Sequence, residues 1–344
     1  MNSDVVAGVD DPGHRTQLLQ TVVLRSVSRS FYLSIRFLPV QLRRPIALAY
    51  LLARTTDTVA DTTEIPATVR METLKMLSDG IQGKTSRETV VNQVSSFVPS
   101  QKNAPERALL DSLHDCLVWL EQTSGADRDD IRAVLEKITQ GQLLDLHRFD
   151  DPSQMRALQT AADLDEYTYL VAGCVGEFWT RLCFRHLRGF AGLNPDDMLS
   201  LGRRYGMGLQ LINVLRDAGA DLRAGRCYFP EDELRTVELT PAQILSKPDR
   251  FQPIYLQWME KAQDGLDCGM RYSRAIQNRR VRAATVLPAL IGVRTLALLR
   301  QAGGGALNST IKIPRDEVRA MIVSLAITFA SRAKIEAVFE RAKR

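Results

Sequence analysis

The sequence predicts an all-α protein. From Gln17 onward, apolar residues recur with helical spacing in most segments. No stretch alternates apolar and polar residues convincingly, as a half-buried strand does. The 344-residue chain is 45% hydrophobic and 25% charged, which is ordinary for a globular protein with a sizeable buried core. Together these observations predict a bundle of helices.

We expect the chain to consist of an N-terminal tail, one domain and a C-terminal tail. Residues 1–16 include Gly, Pro and Asp, which predicts a flexible N-terminal tail. Residues 17–335 carry the helical pattern without an obvious linker and are expected to form a single domain, followed by a basic tail at 336–344. After a first helical stretch that ends at Pro39, we expect helices at about 41–61, 66–78, 106–122, 127–149, 163–185, 195–220, 255–276, 282–301 and 315–342.

Local signals support several of these elements. Pro45 falls in the first turn of its helix, where proline is tolerated. Asp163 is expected to cap its helix. Gly173 and Gly176 interrupt an apolar helical stretch at a cost of about 1 kcal/mol each relative to alanine. They indicate that another helix or a bulky ligand approaches the backbone closely.

Two of the expected helices each carry a pair of aspartates, Asp57 with Asp61 and Asp217 with Asp221. Residues four apart lie on the same face of a helix, one turn from each other. Carboxylates on helices that are otherwise apolar need a partner, and hard divalent cations such as Mg²⁺ favour carboxylate and phosphate oxygens. The pairs would then grip metal ions that bind a diphosphate, from opposite walls of one cavity.

An arginine accompanies each pair. Arg54 lies one turn before the first pair, Arg216 lies immediately before the second, and Arg226 follows the second. Guanidinium groups can hold phosphate oxygens directly. A single pair of aspartates could equally belong to a solvated helix face. Two such pairs, each with an arginine in an apolar helix, favour a diphosphate site.

Charge and composition narrow the classes of function. The net charge is +5, but the basic residues are dispersed and aromatic residues make up only 6% of the chain, so nucleic-acid binding is disfavoured. An anionic small substrate or an anionic membrane surface explains the charge as well. The five cysteines form no C-x-x-C pair, which predicts reduced and mostly buried thiols. The four histidines are too scattered to indicate zinc.

We expect a cytoplasmic protein without a transmembrane segment. No signal peptide is visible, because the N-terminus is acidic and polar. The apolar run at 320–330 is shorter than the ~20 residues that a spanning helix needs. The basic segment at 334–344 could make a peripheral membrane contact, although a solvated helix end explains it better. We expect a monomer or a weak homodimer.

Further motifs occur in a fixed order. Ser28–Phe31 reads S-R-S-F, and Tyr167 precedes V-A-G-C-V-G at Val171–Gly176. The second aspartate pair is followed by G-R-C-Y-F-P at Gly225–Pro230. With the aspartate pairs, these motifs span roughly residues 17–335 and resemble those of the squalene/phytoene synthase family, the head-to-head isoprenyl diphosphate synthases. The resemblance implies an isoprenoid synthase helical bundle around a central cavity.

The resemblance also implies roles for individual residues. Mg²⁺, or alternatively Mn²⁺, would be bound by Asp57, Asp61, Asn213, Asp217 and Asp221, and the four aspartates would thereby act in catalysis. Tyr167 matches the family's active-site tyrosine, which assists proton removal or stabilises cationic intermediates. The residues implied in substrate binding are Ser28, Arg29, Ser30, Phe31, Tyr50, Arg54, Val171, Gln210, Arg216, Arg226 and Tyr272.

Different motifs of the chain resemble different branches of the family. Arg54–Val59 resembles the R-x-x-D-T form of squalene synthases, whereas phytoene and dehydrosqualene synthases commonly begin this motif with D-D. Ala218–Ala220 is closer to the bacterial and phytoene type. Lys312 and Arg315, in K-I-P-R, resemble a stretch near the reductant site of squalene synthases and are candidates for binding NADPH. The resemblance thus implies squalene synthesis from farnesyl diphosphate; the alternative is a non-reducing relative that makes phytoene, dehydrosqualene, presqualene diphosphate or hydroxysqualene.

Two other classes of function stay open. An inactive homologue that serves as a binding subunit would be expected to lose the aspartates, and all four are present. A helical nucleic-acid-binding protein would need a basic stripe, which the dispersed charge does not provide.

Overall fold

A computed structural model describes residues 12–151, 153–328 and 332–343 of the chain. Helices dominate these residues, which confirms the predicted all-α class. A short parallel ladder joins β1 (Arg156–Ala157) to β2 (Arg226–Cys227), and strands of two residues are too short to show alternation in a sequence. The chain divides into two compact units, Met1–Leu146 and His147–Arg344. The expectation of a single domain stays a prediction.

The first unit is built around one long helix, α3, which packs against α2, α4, α6 and α7. A π-helical turn, Leu19–Val23, joins α1 to α2. The helices of this unit are α1 (Pro12–Leu18), α2 (Leu24–Phe37), α3 (Val40–Asp61), α4 (Ala67–Ile81), α5 (Arg87–Ser95), α6 (Ala104–Asp111), α7 (Leu113–Glu121) and α8 (Gly125–Arg148).

Helix α3 is buried over most of its length. Leu48, Leu51 and Val59 are fully buried, as expected for the apolar stripe of a core helix. Thr55 and Thr56 are buried as well, and their hydroxyls donate to the carbonyl oxygens of Leu51 (2.9 Å) and Ala53 (2.8 Å). The helix therefore carries polar side chains into the core without leaving those hydroxyls unsatisfied.

Two boundaries in the first unit differ from expectation. Helix α1 begins at Pro12, so the end of the predicted N-terminal tail is helical; residues 1–11 lie outside the described part of the chain. The helix expected at 106–122 is split at Ser112, whose backbone leaves the helical region (φ −89°, ψ 3°). The Ser112 hydroxyl donates to the carbonyl of Ala108 at 2.7 Å, and the Ser112 backbone N–H donates to the carbonyls of Ala108 and Leu109.

The second unit is built around the 29-residue helix α11, which packs against α10, α13 and α14. A π-helical segment, Tyr169–Gly173, lies between α9 and α10. The α-helices are α9 (Ala161–Thr168), α10 (Cys174–His186), α11 (Pro195–Arg223), α12 (Glu231–Thr236), α13 (Pro248–Ala275), α14 (Arg279–Ala302), α15 (Arg315–Thr328) and α16 (Arg332–Ala342), with 3-10 turns at Pro241–Gln243 and Gly303–Leu307.

The glycines of α10 and α11 allow α11 to touch both α10 and the π-helical segment before it, backbone to backbone. A Cβ on Gly176 would lie 2.0 Å from the carbonyl oxygen of Gly202, and a Cβ on Gly206 would lie 2.3 Å from that of Ala172. No side chain fits at such distances. Of the two explanations that the sequence allowed for Gly176, close approach of another helix is therefore the one that the structure supports.

Three predictions in the second unit need correction. The cap of α9 is Thr160, not Asp163, because Thr160 and Asp163 form a reciprocal capping box. Helix α13 begins at Pro248 rather than near 255, since proline needs no hydrogen-bond partner in the first turn. The basic tail predicted at 336–344 begins inside α16, whose Ile335, Phe339 and Ala342 are buried.

Helix α14 and the turn after it form a long apolar stretch. By length and composition this stretch, Arg279–Leu307, could cross a membrane, but 78% of its most apolar window is buried inside the fold. Core helices commonly show this composition. All five cysteines are buried and free, as predicted.

Candidate functional site

The first aspartate pair ends α3. Asp57 and Asp61 lie one turn apart in the last turns of the helix. Arg54, one turn before Asp57, donates to its carboxylate at 2.5 Å and to the carboxylate of Glu106 on α6 at 2.5 Å. The arginine therefore bridges two helices and holds the first carboxylate of the pair. Glu106 was missed by the sequence analysis, because 52 residues separate it from Arg54 and no motif contains it.

The electrostatics of this pair suit a cation. Burial of the carboxylate and the negative charge of Asp61 raise the pKa of Asp57 from 3.8 to about 7, although Arg54 acts in the opposite direction. The Asp57 side chain keeps 43% of its surface open to solvent, so a ligand can reach it. A divalent cation between two such carboxylates would remove their mutual repulsion. Arg54 Nε is shielded from solvent and has no acceptor among the described residues, as fits a side chain that also awaits an anion.

The second pair lies on α11, where Asn213, Asp217 and Asp221 follow one another at intervals of one turn. Arg216 binds Asp217 through two hydrogen bonds of 2.9 and 2.6 Å, and this bidentate contact raises the pKa of Arg216. Arg226 donates to Asp221 at 2.6 Å. Each aspartate of this pair is therefore held by an arginine that the resemblance assigns to the diphosphate.

The end of α11 is fixed by two further elements. A Cβ on Gly219 would lie 1.9 Å from the carbonyl oxygen of Leu307, so only glycine lets α11 pack against the 3-10 turn there. Arg223 donates to the same carbonyl at 3.0 Å. Gly225, with φ of 80°, reverses the chain after the helix, and the β1–β2 ladder then holds Arg226 beside Asp221.

A polar chain links the predicted active-site tyrosine to the second motif. Gln210 Nε2 lies 3.5 Å from the Tyr167 hydroxyl, which is the long limit for a hydrogen bond. The side-chain oxygen of Gln210, Oε1, accepts a hydrogen bond from Asn213 Nδ2 at 3.2 Å. The rings of Tyr167 and Tyr228 lie 5.1 Å apart, and Phe149 packs edge-on against Tyr228 at 5.2 Å. Tyr228 belongs to the G-R-C-Y-F-P motif, but nothing in the sequence indicates that its ring meets Tyr167.

The segment that follows Tyr167 is a π-helix rather than a continuous α-helix. It covers Tyr169–Gly173 and contains the half-exposed Val171. Such π-helical insertions occur often at functional sites, because the extra residue redirects the side chains around it. Tyr169 lies 3.4 Å from the carboxylate of Glu177, which is buried and paired at 2.5 Å with Arg203. These contacts fix the insertion where the glycine motif begins.

The remaining predicted substrate residues contact only residues of their own unit in the bonds described for them. Ser28 is buried and its hydroxyl donates to the carbonyl of Leu24 at 2.5 Å, while the Tyr50 hydroxyl donates to the carbonyl of Val27 at 3.2 Å. Tyr272 is 1% exposed, bonds to Thr180 at 2.9 Å, and has a pKa raised well above its usual value by burial. The side chains of Arg29, Ser30 and Phe31 lie outside what the structure describes.

The two predicted NADPH residues lie at the start of α15. Lys312 and Arg315 are exposed, and neither has an ion-pair partner within residues 12–151, 153–328 and 332–343. Their charge suits a phosphate group. Their role in cofactor binding stays a prediction.

The side chains at the aspartate pairs fit a Mg²⁺ ion whose remaining ligands come from a bound substrate. No three His, Cys, Asp or Glu side chains of the described chain cluster closely enough to hold a metal by themselves. Mg²⁺ characteristically takes one or two protein carboxylates together with water and substrate phosphates. A pair of aspartates with an adjacent arginine matches that requirement, whereas a closed structural metal site would need more protein ligands.

Comparisons with known proteins agree with these motifs. The model of the family described as "Squalene/phytoene synthase" matches residues 24–317. Over 291 residues the chain is 26% identical to squalene synthase ERG9 of Saccharomyces cerevisiae, and the match covers 80% of this chain. Over 259 residues it is 30% identical to the bifunctional lycopene cyclase/phytoene synthase of Phaeosphaeria nodorum, with 71% of this chain covered.

The chain spans 60% of the length of the yeast protein and 40% of that of the Phaeosphaeria protein. A solved structure, the complex of TcSQS with the ligand BPH1237, shares the fold with a TM-score of 0.73 at 20% identity. That similarity covers 96% of this chain and 98% of the other. The isoprenoid synthase fold expected from the motifs is thereby confirmed.

Proposed function

Because the chain belongs to the squalene/phytoene synthase family, we propose that it condenses two farnesyl diphosphates head to head to presqualene diphosphate, which it then reduces with NADPH to squalene. One observation carries the proposal. In each unit, a helix presents aspartates one turn apart, and an arginine binds the first aspartate of each pair directly. This arrangement supplies oxygen ligands for Mg²⁺ and cationic donors for a diphosphate at the same place.

The chain's own residues would then act as follows. On substrate binding, Arg54, Arg216 and Arg226 would transfer hydrogen bonds from the aspartates to diphosphate oxygens, and the aspartates would be the residues that hold the metal. Bound Mg²⁺ would supply the positive charge that makes diphosphate a better leaving group. Asn213 adds a neutral oxygen ligand from the same face of α11.

Ionisation of an allylic diphosphate leaves a carbocation, so the residues near the reacting carbons must exclude water and stabilise positive charge. The paired rings of Tyr167 and Tyr228 provide negative faces for such a cation. The Tyr167 hydroxyl can also accept or pass on the proton that is lost when the cyclopropane ring of presqualene diphosphate closes. Gln210, which reaches this hydroxyl, would act as a positioning residue.

The reductive second step distinguishes the squalene branch. NADPH would supply a hydride to the rearranged cation, and Lys312 and Arg315 would bind its phosphates. The R-x-x-D-T form of the first motif supports this branch. The similarity to a phytoene synthase supports the alternative, a non-reducing relative that makes phytoene, dehydrosqualene, presqualene diphosphate or hydroxysqualene.

A product assay tests the proposal. Purified protein is incubated with farnesyl diphosphate and Mg²⁺, with and without NADPH, and the extract is analysed by mass spectrometry. Squalene that forms only with NADPH is the expected result. Presqualene diphosphate, hydroxysqualene or dehydrosqualene formed equally without NADPH would assign the protein to the non-reducing branch, and product from geranylgeranyl diphosphate alone would assign it to phytoene synthesis.

A further inference from the structure

Residues 36–44 comprise the last residues of α2, the turn that follows and the first residues of α3, and we call them the α2–α3 turn. This segment exposes apolar side chains beside arginines. Phe37 is 45% exposed and Val40 is 64% exposed. Arg36 and Arg44 are exposed on either side of them. Single exposed apolar residues are common, but an aromatic and a β-branched residue close together at a turn between helices form an apolar patch that calls for an explanation.

This turn is firmly built, so the exposure of Phe37 and Val40 does not arise from loose packing. Leu38 and Leu42, which alternate with them, are fully buried. Arg43 Nη2 donates to the carbonyl oxygens of Arg36 and Leu38, at 3.0 Å each, and thereby ties down the end of α2. The turn therefore presents Phe37 and Val40 in a fixed geometry, and no rearrangement is needed before they meet a partner.

The charge around the turn has one sign. Between residues 25 and 44 the sequence contains five arginines and no Asp, Glu or Lys. Arg36 and Arg44 have no ion-pair partner in the described part of the chain, and Arg36 lies 5.8 Å from the ring centroid of Tyr32. A partner for this surface must therefore be both negatively charged and apolar.

The turn lies at the end of α3 that is far from the aspartate pair. Val40 begins the helix and Asp57 follows it by 17 positions, which corresponds to roughly 25 Å along an α-helix. The carboxylates can thus stay in water while residues 36–44 are immersed in another medium.

We propose that the α2–α3 turn docks this protein on an anionic lipid surface. Phe37 and Val40 enter the boundary between headgroups and acyl chains, and Arg36 and Arg44 contact the phosphate headgroups. A lipid surface offers negative charge directly above an apolar layer, which matches the order of charge and apolar residues on the turn. This proposal does not depend on which product the enzyme makes.

Vesicle co-sedimentation tests the docking surface. The full chain is mixed with phosphatidylcholine vesicles, with or without phosphatidylglycerol, at low and at high salt. We expect binding that requires phosphatidylglycerol and weakens at high salt. The double variant Phe37→Ser/Val40→Ser should reduce binding about tenfold or more. Arg36→Gln and Arg44→Gln should each reduce it roughly fivefold, on anionic vesicles only.

The matched control is Val323→Ser/Ile327→Ser on α15, where the two side chains are 52% and 76% exposed. This variant should bind as the wild type does. If it loses binding while the Phe37/Val40 variant keeps it, the docking surface is α15 and the proposal is wrong. Absence of wild-type binding to anionic vesicles would also overturn it, as would a dimer in light scattering that the Phe37/Val40 variant dissociates.

A spectroscopic probe separates docking from misfolding. After the emission of the three native tryptophans is subtracted with the wild type, the indole emission of Phe37→Trp should shift to the blue on addition of anionic vesicles, and brominated lipids should quench it. An unchanged spectrum in the presence of bound protein would show that residue 37 stays in water and would contradict the proposal.

Discussion

At the scale of single residues, the site depends on arginines that hold carboxylates before any ligand arrives. Arg54, Arg216 and Arg226 each bind an aspartate at 2.5–2.6 Å in their most direct contact. Such contacts orient the carboxylates. They also provide the group that would move to the diphosphate.

The first prediction at this scale concerns the aspartates. Asp57→Ala or Asp217→Ala should lower kcat by about a thousandfold or more, because a metal in this position stabilises the leaving group by several kcal/mol. Steady-state kinetics with farnesyl diphosphate measure the loss, and circular dichroism should show an unchanged helix content. Asp264→Ala, an exposed aspartate in the middle of α13, is the control and should keep full activity. Near-normal turnover of either site variant would refute the metal assignment.

The second prediction concerns stability. Because the pKa of Asp57 is raised from 3.8 to about 7 in the folded protein, its charged form opposes folding. The penalty sets in as pH rises above about 4 and is complete above about 7. In metal-free protein, Asp57→Asn should therefore raise Tm at pH 8, although solvent screens the charge because 43% of the Asp57 side chain is open to water. It should have little effect near pH 4, while Arg54 keeps its contact with Glu106. A lower Tm for the variant at pH 8 would contradict the stated electrostatics.

The third prediction concerns Gln210. Its amide reaches the Tyr167 hydroxyl and its carbonyl accepts from Asn213, so it connects two predicted functional residues. Gln210→Leu should lower kcat about tenfold to a hundredfold with a smaller change in KM, since misplacement of a reacting group costs about this much. Gln257→Leu, which is exposed on α13, should leave both constants unchanged. A change confined to KM would assign Gln210 to substrate binding instead.

At the scale of elements, α11 is the helix on which the second motif depends. It meets α10 through Gly176 and Gly202, the π-helical segment through Gly206, and the 3-10 turn through Gly219. Bulkier residues at these positions would force the helices apart. The glycines therefore fix where the carboxylates of α11 lie relative to the Tyr167 segment.

The fourth prediction follows from that packing. Gly176→Ala should destabilise the protein by roughly 1–3 kcal/mol, although alanine favours a helix, because its Cβ would lie 2.0 Å from the Gly202 carbonyl oxygen. Thermal or urea unfolding measures the change. Gly125→Ala is the matched control, since a Cβ there would have no atom within 4 Å. Equal stability of the two variants would show that α10 and α11 can separate at little cost.

At the scale of the whole molecule, the sequence predicted the helices whose apolar residues recur periodically along the chain. It did not predict contacts between residues that lie far apart in the sequence. The periodicity predicted α3 within one residue, because a long apolar stripe with proline in the first turn leaves few alternatives. The split at Ser112 is a change in the backbone of one residue, and the start of α13 at Pro248 depends on a tolerated proline; neither alters the periodicity.

The candidate site likewise contains features that the sequence predicts and contacts that it does not predict. The aspartate pairs were visible because both members lie on one helix. Glu106 and the stacking of Tyr228 on Tyr167 were not, because these residues meet only after the chain has folded. The expectation that the two pairs face each other across one cavity stays a prediction, as do a cytoplasmic location and a monomeric or weakly dimeric state.

The central claim is that the aspartate pairs hold Mg²⁺ for a diphosphate. Isothermal titration with a non-reactive farnesyl thiodiphosphate tests it most directly, with Mg²⁺ present in one experiment and a chelator in the other. The account predicts binding that requires Mg²⁺ and that Asp217→Ala weakens at least about tenfold. Equal affinity in the presence of the chelator, unaffected by the substitution, would contradict it.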